Sequence, residues 1–191
     1  MTAPFLMSKY LFRISLMMKK VALLLLATIF ATSAFAQEWS AGLRVGSGIQ
    51  AVGQYRYNGK DYFEARFGGS WNNMLHTIYY NDGTVDASRV MADFAIMHNW
   101  HLLDMDWTPN GGSWFVDAGV GVNVGGRQHY AYVGALGSAR LGFTFFDVPL
   151  TLTLDWSPTF GPAILYAGGQ STARFNDLGL ANIGISCVYN F

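Results

Sequence analysis

From residue 37 onwards apolar and polar side chains alternate with a period of two, and no stretch forms a continuous apolar run of helical length. Successive side chains of an extended strand point to opposite faces, so this period predicts strands with one greasy and one polar face. Eight such segments lie near residues 38–47, 49–57, 61–71, 89–101, 113–125, 129–145, 149–158 and 178–191. In the fifth, Trp114, Val116, Ala118, Val120, Val122 and Val124 alternate with Asp117, Gly119, Gly121 and Asn123. The seventh sets Leu150, Leu152, Leu154 and Trp156 against Thr151, Thr153, Asp155 and Ser157. In the last, Phe191, Tyr189, Cys187, Ile185, Ile183 and Ala181 share one face, and Asn190, Ser186, Gly184 and Asn182 share the other.

Turn chemistry separates the segments. Pro109, Pro149, Pro158 and Pro162 fall near breaks, where a missing N–H costs no ladder bond. The Asn58-Gly59 pair marks a tight hairpin, because both residues tolerate positive φ. An even number of antiparallel strands returns the chain to the end where it started, here called the terminal end. Short breaks at 58–60 and 146–148 belong to that end, as does a middling one at 102–112. Long breaks at 72–88 and 159–177 belong to the far end, where the first turn, around Gly46 to Gly48, is unusually tight. The expected fold is all-β, an eight-stranded antiparallel up-and-down barrel spanning a membrane, over residues 37–191.

Charge sharpens the choice of which face looks inward. By strand parity Arg44, Arg56, Glu64, Arg66, Asp93, Asp117, Arg140 and Asp155 all fall opposite the apolar residues of their own strands. Four cations and four anions make a balanced interior. A shift of one residue would turn a strand's charge into lipid, at about 2–4 kcal/mol for a mid-membrane arginine. The lumen of an eight-stranded barrel is just wide enough for side chains to fill. The eight charges are therefore expected to pair as a salt-bridge and hydrogen-bond network that plugs it. Other charges sort to the ends: Glu38, Lys60, Asp61, Asp104, Asp106 and Asp147 at the terminal rim, and Asp82, Asp86, Arg89, Arg127, Arg174 and Asp177 at the far one. Trp39, Tyr57, Phe63, Trp100, Trp114, Phe145, Tyr189 and Phe191 sit outward near the terminal ends of their strands, as a belt of amphipathic rings at a membrane interface would.

Ahead of the barrel, two lysines (Lys19, Lys20), an apolar run from Val21 to Phe30 and the small-residue end Ala34-Phe35-Ala36 have the layout of a secretory signal peptide. The apolar run falls short of the roughly 20 residues a spanning helix needs. Residues 1–36 are read as this region, with Met17 and Met18 as alternative starts of translation. Its loss takes away four basic residues, Lys9, Arg13, Lys19 and Lys20, leaving eight against twelve acidic ones, a net charge of −4. Lys60 is then the only lysine, which excludes a basic groove for nucleic acid. Twenty charged residues in 155 are few for a water-exposed surface.

Candidate chemistry is sparse. His98 and His101, three apart on a strand, fall on opposite faces and do not form a metal pair. Around His76, His98 and His129 no serine stands two residues away on the same face, and Ser138 is too far along its strand from His129 to touch it. Cys187 is the sole cysteine, so no internal disulfide forms. No catalytic residue, metal site or cofactor is expected.

The leader, the strand pattern and the aromatic final residue together resemble small bacterial outer-membrane β-barrels of the OmpA-transmembrane, OmpX and opacity-protein kind. The resemblance implies location in the outer membrane with the terminal end periplasmic. It also implies that the strand ending in Tyr189 and Phe191 closes the barrel and is read by the barrel assembly machinery. Partners would be outer-membrane lipid and lipopolysaccharide, and host or environmental surface molecules met by the external loops. Trp71, Tyr79, Tyr80 and Tyr166 would give those loops aromatic contacts. The expected role is structural or adhesive. The alternatives are a lipid A-modifying enzyme and a soluble barrel carrying a hydrophobic ligand, which would put apolar residues inside and arginines outside.

Overall fold

The computed structural model describes residues 38–71, 78–79, 85–86, 90–108, 110–127, 130–167 and 170–191. Residues 37–191 form one compact unit. The proposed leader, Tyr80, His76, His129, Asp82 and Arg89 lie outside the described residues, and so do the side chains of Tyr79, Asp86, Tyr166, Arg174 and Asp177.

Among the described residues twelve strands follow one another and no helix occurs: β1 (Trp39–Gly46), β2 (Gly48–Asn58), β3 (Asp61–Ser70), β4 (Ile78–Tyr79), β5 (Val85–Asp86), β6 (Met91–Met105), β7 (Gly112–Arg127), β8 (Tyr130–Phe145), β9 (Leu150–Trp156), β10 (Thr159–Ala167), β11 (Gln170–Gly179) and β12 (Ile183–Asn190). Eight of them, in the order β1, β2, β3, β6, β7, β8, β9 and β12, pair antiparallel around a closed ring. The last strand completes it, with Leu43 opposite Cys187 on β1 and Ile185 opposite Leu154 on β9. The expected eight-stranded antiparallel barrel is the fold observed.

Side chains alternate as the sequence pattern requires, and the polar set faces in. Among the described residues, the buried side chains include twenty polar or charged and only ten apolar ones. The outward stripe is the reverse: Leu43, Val45, Ile49, Phe67, Phe94, Ile96, Val120, Val122, Leu154 and Ile185 are all exposed. An aqueous domain hides such side chains. A ligand carrier of the kind described above has the opposite polarity.

Three local features depart from the sequence expectation. The stretch 159–177, expected to be a long break, is a hairpin of β10 and β11 that carries the barrel wall beyond the ring. β9 pairs the C-terminal half of β8 and β10 its N-terminal half, with the Gly137 N–H donating to Pro158 O at 2.9 Å across the break. Proline fits here because Gly161 and Pro162 form no paired rung with β8. β6 runs on to Met105, past the end expected near residue 101, through a bulge that sets His101 opposite Asp117 and Leu103 opposite Val116. The β2–β3 hairpin has Gly59 and Lys60 at its tip, one residue later than Asn58-Gly59, because Asn58 pairs with Asp61; Gly59 takes the left-handed conformation, φ 69°.

The tight far-end turn is real, and glycine makes it possible. Gly46 has φ 150°, and a Cβ there would lie 2.3 Å from Ile183 O. Ser47 ties the turn to its neighbours: its N–H donates to Ile183 O, its carbonyl accepts from Trp71 N–H, and its hydroxyl donates to Ala181 O at 3.1 Å. Gly46→Val should therefore lower stability by at least about 1–3 kcal/mol, the usual size of a strained backbone position. Urea unfolding of the refolded barrel followed by tryptophan fluorescence would measure it.

Candidate functional site

The lumen is organised by three arginines brought inward from strands far apart in sequence: Arg44 on β1, Arg66 on β3 and Arg140 on β8, each 1–3% exposed. Arg44 donates from Nε and Nη2 to Asp155 of β9 at 2.9 and 2.8 Å, and from Nη1 to Gln50 at 3.1 Å. Gln50 in turn donates to both oxygens of Asp93 at 2.9 and 2.8 Å. Arg66 donates to Glu64 at 2.6 Å, to Ser157 Oγ at 3.2 Å and to Asp155 at 3.4 Å. Arg140 grips both oxygens of Glu64, at 2.5 and 2.6 Å, and donates to Tyr62 OH at 3.0 Å and Ser138 Oγ at 3.0 Å. Fork-shaped contacts of this kind satisfy charge and direction together.

Glu64 is the hub. Two guanidinium groups and the Gln54 amide, at 2.7 Å, converge on its carboxylate. Towards the terminal end the chain of contacts continues: the Tyr62 hydroxyl donates to Asp117 at 2.9 Å, and His101 Nδ1 lies 3.1 Å from the same carboxylate. His101 Nε2 stands 3.2 Å from Asp104, which also pairs with Lys60. One connected set of polar groups therefore runs from Asp93 to Lys60 along the inside of the barrel.

Seven of the eight charges assigned to the lumen by parity, namely Arg44, Glu64, Arg66, Asp93, Asp117, Arg140 and Asp155, are buried in this set. Arg56 faces the same way but is half-buried, and it lines a cavity of about 160 Å³ at the terminal end. Ser157 and Asn182 fall on the polar faces that the sequence reading gave their strands, whereas Gln50, Gln54, Tyr62 and Ser138, which share the inward parity and were findable by it, were not assigned to the lumen. His101 shares the parity of Asp93 and was likewise not assigned to the lumen.

Above the charges, Met91, Tyr130, Tyr132 and Ala163 form a buried cluster, and below that Ala95, Met97 and Leu136 form a second one. Arg44 needs room that only glycine gives: a Cβ on Gly184 would lie 2.4 Å from its Cζ. Trp71 is half-buried at the end of β3, and Tyr189 is exposed on β12 with its ring 5.3 Å from that of Phe191.

For acyl chemistry a histidine must have a ring nitrogen free to meet a hydroxyl. Both nitrogens of His101 face carboxylates, and His98 looks outward, its Nε2 2.6 Å from Tyr57 OH. No group of three or more His, Cys, Asp or Glu side chains among the described residues is placed to hold a metal ion. No protein-family model, curated protein or solved structure matches the chain.

Glu64 gives the sharpest test of the lumen. Removing one partner of a buried ion cluster leaves charge uncompensated, so Glu64→Ala should cost about 3–5 kcal/mol. Replacing the whole cluster (Glu64→Leu, Arg66→Met, Arg140→Met) should recover much of that loss. Unfolding midpoints of the two variants in urea would compare them.

Proposed function

We propose that this chain is an outer-membrane β-barrel with a plugged polar interior and a structural or surface-interaction role carried by its far-end loops. One observation carries the reading: along the middle of every strand of the closed ring the exposed side chains are apolar, and the ionised ones lie inside or at the terminal rim. The largest apolar patch on a water-soluble monomer is about 300–600 Å², whereas here a stripe of Leu, Val, Ile and Phe recurs on every strand of the ring. In hydrocarbon the same surface is at home, and a closed ring leaves no strand edge in need of hydrogen bonds.

The aromatic residues support the same orientation. At the terminal end, rings meet in clusters around the wall: Trp39 with Tyr55 at 4.9 Å, Phe63 with His98 at 4.9 Å, Trp114 with Phe143 at 5.0 Å and Tyr189 with Phe191 at 5.3 Å. Rings with a polar atom favour the boundary between lipid tails and water. With that end periplasmic, β10, β11 and the long connection 72–88 would stand at the cell surface. A plugged lumen leaves those parts, rather than a pore, to act on the outside world.

The purified protein is expected to fractionate with outer membranes, to require detergent for extraction and to migrate differently in boiled and unboiled gel samples. Extraction in plain buffer would reject the reading. Planar-bilayer recording should show no large, stable conductance from the monomer. For the adhesive role, deletion of residues 72–88 is expected to abolish binding of whole cells to host cells or matrix while the barrel still folds.

A further inference from the structure

The cavity at the terminal end contains Arg56, an arginine that no carboxylate among the described residues holds. Arg44, Arg66 and Arg140 each have an anionic partner within 3.4 Å; Arg56 makes no ion pair or side-chain hydrogen bond among the described residues. It stands half-buried beside Tyr62, its register partner on β3, and shares the cavity with the hydroxyls of Ser113, Thr151 and Thr153.

The carboxylates in the cavity are already engaged. Asp117 takes the Tyr62 hydroxyl and faces His101, and Asp104 takes Lys60. What is left unspent is the planar fork of N–H donors on Arg56, and such a group calls for a planar acceptor of matching width. Two residues of the cavity lining, Gln54 and Tyr62, are bonded to the Arg140–Glu64 layer next to it, Gln54 donating to Glu64 and Tyr62 OH accepting from Arg140. On the connections that follow β6 and β8 at the same end of the barrel, Asp106 and Asp147 are exposed acids, which repel multiply charged anions and favour a positive group at that rim.

We infer that this cavity binds the carboxylate of a small zwitterion of the amino-acid class, with Arg56 on the carboxylate and the ligand's ammonium towards the acidic rim. The site depends on the closed barrel, and because the signals of Arg56 and Arg140 report the cavity itself, loss of glycine binding in a folded sample counts against the site and not against the membrane reading.

The full chain, labelled with ¹⁵N at arginine and folded in detergent micelles, would be titrated with glycine, acetate and inorganic phosphate while the Nε–H resonances are followed. Arg56→Gln identifies the Arg56 signal by its loss. The expected result is a saturable shift of that signal with glycine, a weaker one with acetate and none with phosphate, while the Arg140 signal, inside the plug, stays unmoved. In Arg56→Gln, glycine should cause no saturable shift of any amide lining the cavity, and unboiled gel mobility would show that the variant is folded. Absence of saturation with glycine, saturation that survives in folded Arg56→Gln, or phosphate binding as tightly as glycine would each overturn the assignment.

Discussion

The Glu64 carboxylate, clamped between Arg66 and Arg140, is the constraint around which the interior is arranged. An ion taken out of water costs several kcal/mol even after relaxation, and attraction to a single neighbour does not reliably offset it. The barrel answers with numbers: two guanidinium forks and an amide on Glu64, and Arg44, Arg66 and Ser157 all on Asp155. Each arginine comes from a different strand, and so do Glu64 and Asp155. The network therefore forms only when β1, β3, β8 and β9 have already found their register. A slip of one residue on any of them would break several contacts at once and reverse that strand's faces.

The same constraint explains where small residues stand. A guanidinium group lying flat against the wall needs a strand with no side chain under it, and Gly184 gives Arg44 that space. On β7 a similar trade is made with rings and amides, where Gly119 leaves room for Asn99 and Gly125 for Tyr132. Glycine in a strand weakens it locally. Here the loss is offset by large polar side chains that would otherwise have no place to lie in a lumen this narrow.

Most of this was legible in the sequence, because one regularity carries it. Period-two alternation located the eight ring strands, and charge parity found Arg44, Glu64, Arg66, Asp93, Asp117, Arg140 and Asp155 on the inward face. Failures occurred where the period breaks. The bulge between His101 and Leu103 changes the count within β6, so a histidine that faces Asp117 looked like a strand end. The stretch 159–177 was expected to be a break, yet the chain continues as β10, because alternation of Phe160, Pro162 and Ile164 with Thr159, Gly161 and Ala163 persists through the proline. Pairings such as Arg44 with Asp155, 111 residues apart, were not legible at all. Parity says which side a residue faces, but height and azimuth around the ring depend on how far each strand is staggered against the next.

Arg56 marks the boundary of what the interior can satisfy. The lumen set inferred from parity holds four cations and four anions, and equal numbers would allow every arginine a partner. Geometry divides them otherwise: Glu64 accepts two arginines, Asp93 is held by the neutral amide of Gln50, and Asp117 by a phenol and an imidazole. With its nearest anions engaged, the guanidinium of Arg56 is left facing the cavity at half burial, where partial contact with water limits the penalty of standing alone. Balance of charge in a sequence is thus a statement about the whole interior, and a particular ion can still be left over for other use.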